Sequence, residues 1–309
     1  MPMHIFRKIP FTIALKNYIH LNMYIVLFSN INPVAINSSY FTIYWYGITY
    51  AVAICLGTYL IKNIERRHKI THLDYKDLES LLLYIVIGVI IGGRLGYILF
   101  YTPGIIFYNF LETLKIWHGG MSFHGGLLGI TISLLIFCGQ RSKKILPISD
   151  LIAYIAPLGL FFGRCANFIN GELYGKRTNG SWGVIFPHYD YQLRHPSQLY
   201  EALLEGIMLF FIMIKISRIR TNNSNIAPQR NTQLDGTGLL STIFLVFYSV
   251  FRIIIEIFRE PDAHIGYLIT LTLGQILCIP MFLLGISIAA LLLQLFAYKK
   301  TELLHNSKK

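Results

Sequence analysis

Charged residues are scarce in this sequence. Only 14% of its 309 residues are Asp, Glu, Lys or Arg, whereas a water-soluble domain usually carries about 25%. Hydrophobic residues make up 54%, and they gather in several runs of about 20 residues, the length at which a helix crosses the hydrocarbon core of a bilayer. No soluble core needs several such runs. Cysteine is scarce too. Cys55, Cys138, Cys165 and Cys278 are the four present, each in an apolar run, with no C-x-x-C pair and no Cys/His cluster. That spacing excludes a metal site, leaves the thiols as small buried hydrophobes, and implies no cofactor. Internal repeats and low-complexity tracts are missing as well. Acidic residues are outnumbered, giving a net charge of +12. The excess lies in short segments between apolar runs rather than in a basic patch with interleaved stacking aromatics, which excludes nucleic acid as a partner.

The apolar runs predict an all-α polytopic membrane helix bundle of about seven transmembrane helices, over 43–62, 78–101, 122–140, 148–168, 197–216, 238–257 and 274–297. Runs this long must be helices, because lipid offers no partner for an open backbone. The loops orient them. Segment 62–77 carries Lys62, Arg66, Arg67, Lys69 and Lys76, and 141–147 carries Arg141, Lys143 and Lys144. Segment 217–237 carries Arg218, Arg220 and Arg230, and the tail ends in Lys299, Lys300, Lys308 and Lys309. Segment 102–121 has only Lys115. Basic loops face the cytoplasm, so the C-terminus is expected inside and the N-terminus outside. Segment 169–196 falls outside despite Lys176, Arg177 and Arg194. Rich in Gly and Pro, it reads as a small folded cap on the outer face. Arg7, Lys8 and Lys16 break the charge rule, which suggests Met23 as the start and 1–22 as an extension.

The informative residues are ionisable groups inside the spans, where each needs an interior partner or a task. They are Arg94, His124, Arg164, the pair Glu201 and Glu205, and the pair Arg252 and Glu256 with Arg259 and Glu260 following. Threading the spans alternately puts Arg94, His124, Arg164 and Arg252 at the outer ends of their helices. Three guanidiniums and an imidazole at one depth call for an anion, and a guanidinium fork suits phosphate oxygens. A phospholipid headgroup is the anion at hand. Bland readings stand beside this one: Arg94 as a pin between helices, Glu201 and Glu205 bonding helix ends, Arg252–Glu256 as a self-neutralising i,i+4 pair. Gly125 and Gly126 would let a headgroup reach the backbone beside His124. Gly88, Gly92 and Gly96 lie on one face, where another helix can approach closely. A transporter of anionic lipids would use such arginines as a path, but it usually shows repeats, and the charges here gather at one face.

Six stretches, in order, carry a resemblance: Trp45-Tyr46-Gly47; Gly92-Gly93-Arg94-Leu95-Gly96-Tyr97; Gly119 through Gly126; Gly163 through Glu172; His195-Pro196-Ser197-Gln198-Leu199-Tyr200-Glu201; and Arg252 through Asp262. Together they resemble the bacterial prolipoprotein diacylglyceryl transferase family over roughly residues 32–297. The resemblance implies transfer of an sn-1,2-diacylglyceryl group from phosphatidylglycerol to the lipobox cysteine of an exported prolipoprotein, in the bacterial inner membrane with the site toward the periplasmic face. It implies that His124 assists thiol deprotonation, that Arg164 and Arg252 hold the phosphate, and that Glu256 orients Arg252. Tyr46 and Tyr248 match functional positions, and Asn167, Glu172 and Gly175 would shape the outer pocket. Arg94, Asn170, His195 and Arg259, from the same motifs, complete the expected substrate-binding set. The implied division is 1–40 as an N-terminal extension and outer-face segment, 41–297 as the transmembrane catalytic domain with 169–196 as its periplasmic cap, and 298–309 as a cytoplasmic tail. Departures from the family pattern are Ala166 for a common Gly, Cys165 for an aliphatic residue, and a cap shorter than in some relatives.

Overall fold

The computed structural model describes residues 27–28, 32–68, 71–115, 119–223, 237–261, 266–268 and 270–306. The expectations for residues 1–22 and for the start at Met23 lie outside these. Among the described residues the seven expected spans all appear as helix. They are α1 (Trp45–His68), α2 (Tyr75–Tyr101), α3 (Phe123–Arg141), α4 (Ile145–Asn170), the composite α5 (Ser197–Glu201) with a π-helical turn (Ala202–Met208) and α6 (Leu209–Asn223), then α7 (Leu239–Ile255) and α8 (Leu273–Asn306). Five helices are long and apolar enough to cross a membrane, α7 is a shorter apolar helix, and the π turn divides the remaining one. α8 continues to Asn306, so helix persists well past residue 297.

Large apolar side chains stay exposed along the helices, Leu283, Leu291 and Leu293 on α8 among them. In water such a surface would signal association or aggregation; on a bundle of this length it is the face that meets lipid. Buried apolar side chains from α3, α4, α6 and α7, including Phe137, Leu151, Met213 and Phe244, fill the interior.

The expected close approach of the glycine row is present, between α2 and α3. A Cβ on Gly88 would sit 2.6 Å from the Gly129 carbonyl oxygen, one on Gly92 2.4 Å from the Gly125 oxygen, and one on Gly96 2.5 Å from the Gly125 Cα. Two backbones therefore touch, with only small side chains such as Ser133 beside them, which suits helix pairing in lipid, where packing rather than water exclusion drives association.

The end of the bundle opposite the site is tied by carboxylates. Asp74 and Asp77 form a capping box at the start of α2, satisfying orphan N–H groups. Asp77 also pairs with Lys143 at 2.8 Å and Arg141 at 3.3 Å, bringing the basic segment after α3 beside the start of α2. Asp150 on α4 accepts from the backbone of Gly238 at 3.0 Å and Ser241 at 2.9 Å, so a side chain from one helix caps the start of α7.

Short strands gather around segment 169–196. β1 (Leu27–Phe28), β4 (Val184–Ile185) and β5 (Leu193–Arg194) form one sheet, with β1 parallel to β4 and β4 antiparallel to β5. Two hairpin ladders, β2 (Val34–Asn37) with β3 (Thr42–Tyr44) and β6 (Tyr267–Leu268) with β7 (Leu271–Thr272), stand before α1 and α8.

Candidate active site

Six charged side chains meet where α4, the π turn and α7 converge. Glu201 is fully buried. Its Oε2 lies 3.0 Å from Arg164 Nη1. Its Oε1 accepts from Arg252 Nη1 and, at 3.0 Å, from Arg259 Nη1. Glu205, also fully buried, places Oε2 3.2 Å from Arg164 Nη2 and Oε1 3.7 Å from Arg252 Nη1. Glu256 Oε2 lies 3.0 Å from Arg252 Nη2. Three guanidiniums thus face three carboxylates, drawn from helices far apart in sequence.

Local structure sets these positions. Arg252 and Glu256 lie one turn apart at the end of α7, and Glu256 is the residue at which α7 stops. The π-helical turn contains Glu205 and begins right after Glu201. Wide turns of this kind are frequent at functional sites. Gly206 lets this turn press on α4: a Cβ there would lie 2.7 Å from the Cβ of Phe161.

His124 is the second residue of α3, whose start is capped by Ser122. Its Nε2 lies 3.5 Å from Cys278 Sγ on α8. The preceding Phe123 stacks on Tyr248 of α7, with ring centroids 4.2 Å apart and planes inclined at 22°. Tyr248 itself is buried one turn before Arg252. α3 is thereby keyed to the helix that carries two members of the charge cluster, and His124 lies in the electrostatic field of Arg252 and Glu256.

The edge of the site beside segment 169–196 is hydrogen-bonded. Asn167 Nδ2 donates to Glu172 Oε1 at 2.7 Å and Asn170 Nδ2 to the same oxygen at 3.4 Å. Gly171 between them turns left-handed, with φ +67°, ending α4. Gln198 donates to the Glu172 carbonyl at 2.6 Å. On α1, Tyr46 and Tyr50 place their hydroxyls 3.3 Å apart, and Tyr46 is within electrostatic reach of Glu172 and Arg164. Gly175 stands where a side chain would not fit: a Cβ would lie 2.5 Å from the His195 carbonyl oxygen and 2.7 Å from that of Phe258. Its backbone bridges to Arg259, tying the cap to the end of the charge cluster.

The match of this chain to the prolipoprotein diacylglyceryl transferase family model runs over residues 33–291. The chain belongs to that family. Proteins named phosphatidylglycerol--prolipoprotein diacylglyceryl transferase are similar along most of their length. The one from Rickettsia bellii strain OSU 85-389 is 50% identical over 260 residues, 84% of this chain and 94% of its own. The one from Rickettsia canadensis strain McKiel is 47% identical over 264 residues, 85% and 97%, and that from Rickettsia felis is 48% identical over 259 residues, 84% and 95%. Like the family, this chain is a multi-pass membrane protein.

Within this prolipoprotein diacylglyceryl transferase fold, Arg164, Arg252, Glu256 and Arg259 converge, as do Asn167, Asn170 and Glu172. Arg94 is engaged by backbone: its Nε donates to the Thr113 carbonyl at 2.9 Å, and its Nη1 to those of Gly119 and Gly120, holding the segment that leads into His124. Two expectations need correction. The anion demanded by the arginines is supplied by the protein's own Glu201, Glu205 and Glu256, not by a headgroup alone, so Glu201 and Glu205 are cluster members rather than helix-end bonds. Gly125 is not open to a headgroup either: Gly96 covers it, and its N–H donates to Ser122 Oγ at 3.3 Å. Sequence reasoning also missed Cys278 beside His124. The available signal for the glutamates was two carboxylates one turn apart in one apolar span, and in another Arg164 with no acidic residue one turn away.

His195 fastens the cap. Its Nδ1 lies 3.2 Å from Tyr200 Oη and accepts from Trp182 Nε1 at 3.4 Å, and its ring packs on Phe258. Burial first, and the Lys176 charge second, push its pKa below the usual 6.5. A histidine so shifted supports the fold while neutral. That support is whole above pH 6.5 and is lost as pH falls through 6.5 toward the lower folded value. Limited proteolysis of the cap should therefore accelerate between about pH 7 and about pH 5. In His195→Gln the rate should no longer change over that range.

Proposed function

We propose that this protein transfers the sn-1,2-diacylglyceryl group of phosphatidylglycerol to the lipobox cysteine of exported prolipoproteins. The site lies toward the periplasmic face of a bacterial inner membrane. In the reaction a bond forms between the cysteine sulfur and the sn-3 carbon of the diacylglyceryl group. The bond from that carbon to the phosphate oxygen breaks, its electron pair leaves with glycerol phosphate, and the thiol proton is released. A thiol is mostly neutral near pH 7, so a neighbouring base or cation promotes the thiolate. His124 takes that part, beside the arginines. Negative charge grows on the departing phosphate oxygens, and preorganised donors in a water-poor site stabilise it strongly. Arg164 and Arg252 are those donors, Glu256 orients Arg252, Tyr46 and Tyr248 line the approach, and Asn167, Asn170, Glu172 and Gly175 shape the outer rim, with Arg94, His195 and Arg259 supporting it.

The observation that carries this reading is the set of half-buried Arg164 with buried Arg252 and Arg259 at the same end of the bundle as His124. The test is to incubate the purified protein with phosphatidylglycerol and a lipobox-bearing precursor, then weigh the precursor by mass spectrometry. A diacylglyceryl thioether on the lipobox cysteine is the expected product. An unmodified precursor beside an intact, membrane-inserted enzyme would reject the reading.

The orientation has its own test. The basic segments put the C-terminus in the cytoplasm. A reporter active only in the cytoplasm, fused after Lys309, should be active, and a well-expressed but silent fusion would invert the topology.

A further inference from the structure

Glu205 in the π turn and Glu201 just before it are bound differently by the arginines. Both oxygens of Glu201 are held at 3.0 Å or closer, by three arginines. Glu205 has only one close contact, Arg164 Nη2 at 3.2 Å, while its Oε1 stands 3.7 Å from Arg252 Nη1. That oxygen is buried without a hydrogen bond, as are Glu201 Oε2 and Glu256 Oε2, so the difference between Glu201 and Glu205 lies in the ion-pair distances. Glu205 lies between the two arginines assigned above to the phosphate, yet it is too far from Arg252 to set that fork. When ionised, its main contribution is one negative charge, which brings the formal sum of Arg164, Arg252, Arg259, Glu201, Glu205 and Glu256 to zero.

A neutral cluster and one carrying a net positive charge differ in how long they retain a phosphate. In a site of low dielectric, one carboxylate several ångströms from a bound anion opposes it appreciably. Such opposition acts on the phosphatidylglycerol headgroup and more strongly on the freed glycerol phosphate, whose charge is greater once the ester bond is broken. Resting on the transferase reading, we propose that Glu205 is a charge-setting positioning residue. Its charge offsets the repulsion between Arg164 and Arg252 before substrate arrives, and it limits the hold of the cluster on the phosphate product so that the product leaves. Glu201 has the other task of holding three guanidiniums in place. Neutralising the two glutamates should therefore have opposite effects on phosphate affinity.

The experiment uses the full chain in lipid nanodiscs, with glycerol phosphate as the probe and inorganic phosphate as a second one, and titration calorimetry as the readout. Glu205→Gln should bind glycerol phosphate about tenfold more tightly than the wild type. In the transfer assay its KM for phosphatidylglycerol and its kcat should fall together, with glycerol phosphate a stronger inhibitor. Glu201→Gln should bind glycerol phosphate more weakly. Glu205→Asp keeps the charge and should bind as the wild type does. Equal or weaker binding by folded Glu205→Gln, or an equal gain in Glu205→Asp, overturns the assignment. Glu205→Met repeats the neutral test, and failure of both neutral variants to fold makes Glu205 a structural counter-ion, which also overturns it. The binding comparison needs no turnover. A wild type that forms no thioether would defeat the transferase reading and leave the phosphate comparison legible.

Discussion

Arg252→Lys should lose most transfer activity, by roughly 100- to 1,000-fold, the usual effect of removing one oriented transition-state donor, about 2.7–4 kcal/mol. The structure supplies the reason. One guanidinium spans two carboxylates, Nη1 toward Glu201 and Nη2 3.0 Å from Glu256. A lysine ammonium keeps the charge but is a single point and cannot bridge both while presenting a planar edge to phosphate. Arg252→Ala should be at least as damaging, because it leaves buried carboxylates undercompensated, a change that destabilises by about 3–5 kcal/mol. Thermal unfolding in detergent separates the two variants: Lys should melt near the wild type, Ala well below it. Arg66→Ala, at an exposed position near the opposite end of α1, is the control and should transfer normally. Near-normal turnover by Arg252→Lys at saturating phosphatidylglycerol would remove two-pronged phosphate recognition from the mechanism.

Gly129→Ala should be nearly as harmful, though no charge is touched. A Cβ there would lie 2.0 Å from the Gly88 carbonyl oxygen and 2.9 Å from the Gly92 Cα. Those atoms are backbone, so α2 and α3 must part. Forcing a methyl into close packing destabilises by about 1–3 kcal/mol, at times more. The pair that separates carries Arg94 on one side and His124 on the other, so activity should fall by more than the loss of folded protein accounts for. Gly139→Ala on the same helix meets nothing within 4 Å and gains up to about 1 kcal/mol of helix propensity. It should melt no lower than the wild type. A Gly129→Ala protein with wild-type melting temperature and turnover would show that the helices can slide apart freely.

The architecture was legible because its signals are long and redundant. A run of about 20 apolar residues can satisfy its backbone in lipid only as a helix, and the i,i+4 glycines of α2 announce a close partner without saying which helix it is. Side-chain partnership across the bundle was much less legible. Glu201 and Glu205 read as a local pair because sequence shows their spacing on one helix and not the arginines opposite, at positions 164 and 252. The nearness of His124 and Cys278 spans 154 residues, and no local pattern encodes it. Gly125 read as open because its neighbour across the interface, Gly96, lies on another helix. Arg94 was visible as a buried charge, but backbone carbonyls leave no residue-type signature to pair with it. Charge at depth reveals that a site exists, and only tertiary packing decides which groups meet there.

The π-helical turn at Ala202–Met208 works as a phase adjuster. Upstream of it, α5 is rotated so that Glu201 faces the arginines. Downstream, α6 presents Leu209 and Met213 to the core. An uninterrupted α-helix would fix one rotation for both halves at about 100° per residue, and a sequence change favouring one face would disturb the other. The extra residue in the wide turn lets the catalytic half and the packing half be set separately. Removing one residue there, Leu203 for instance, should swing Glu201 by about 100° relative to Glu205 and the packing face while leaving the span long enough to cross.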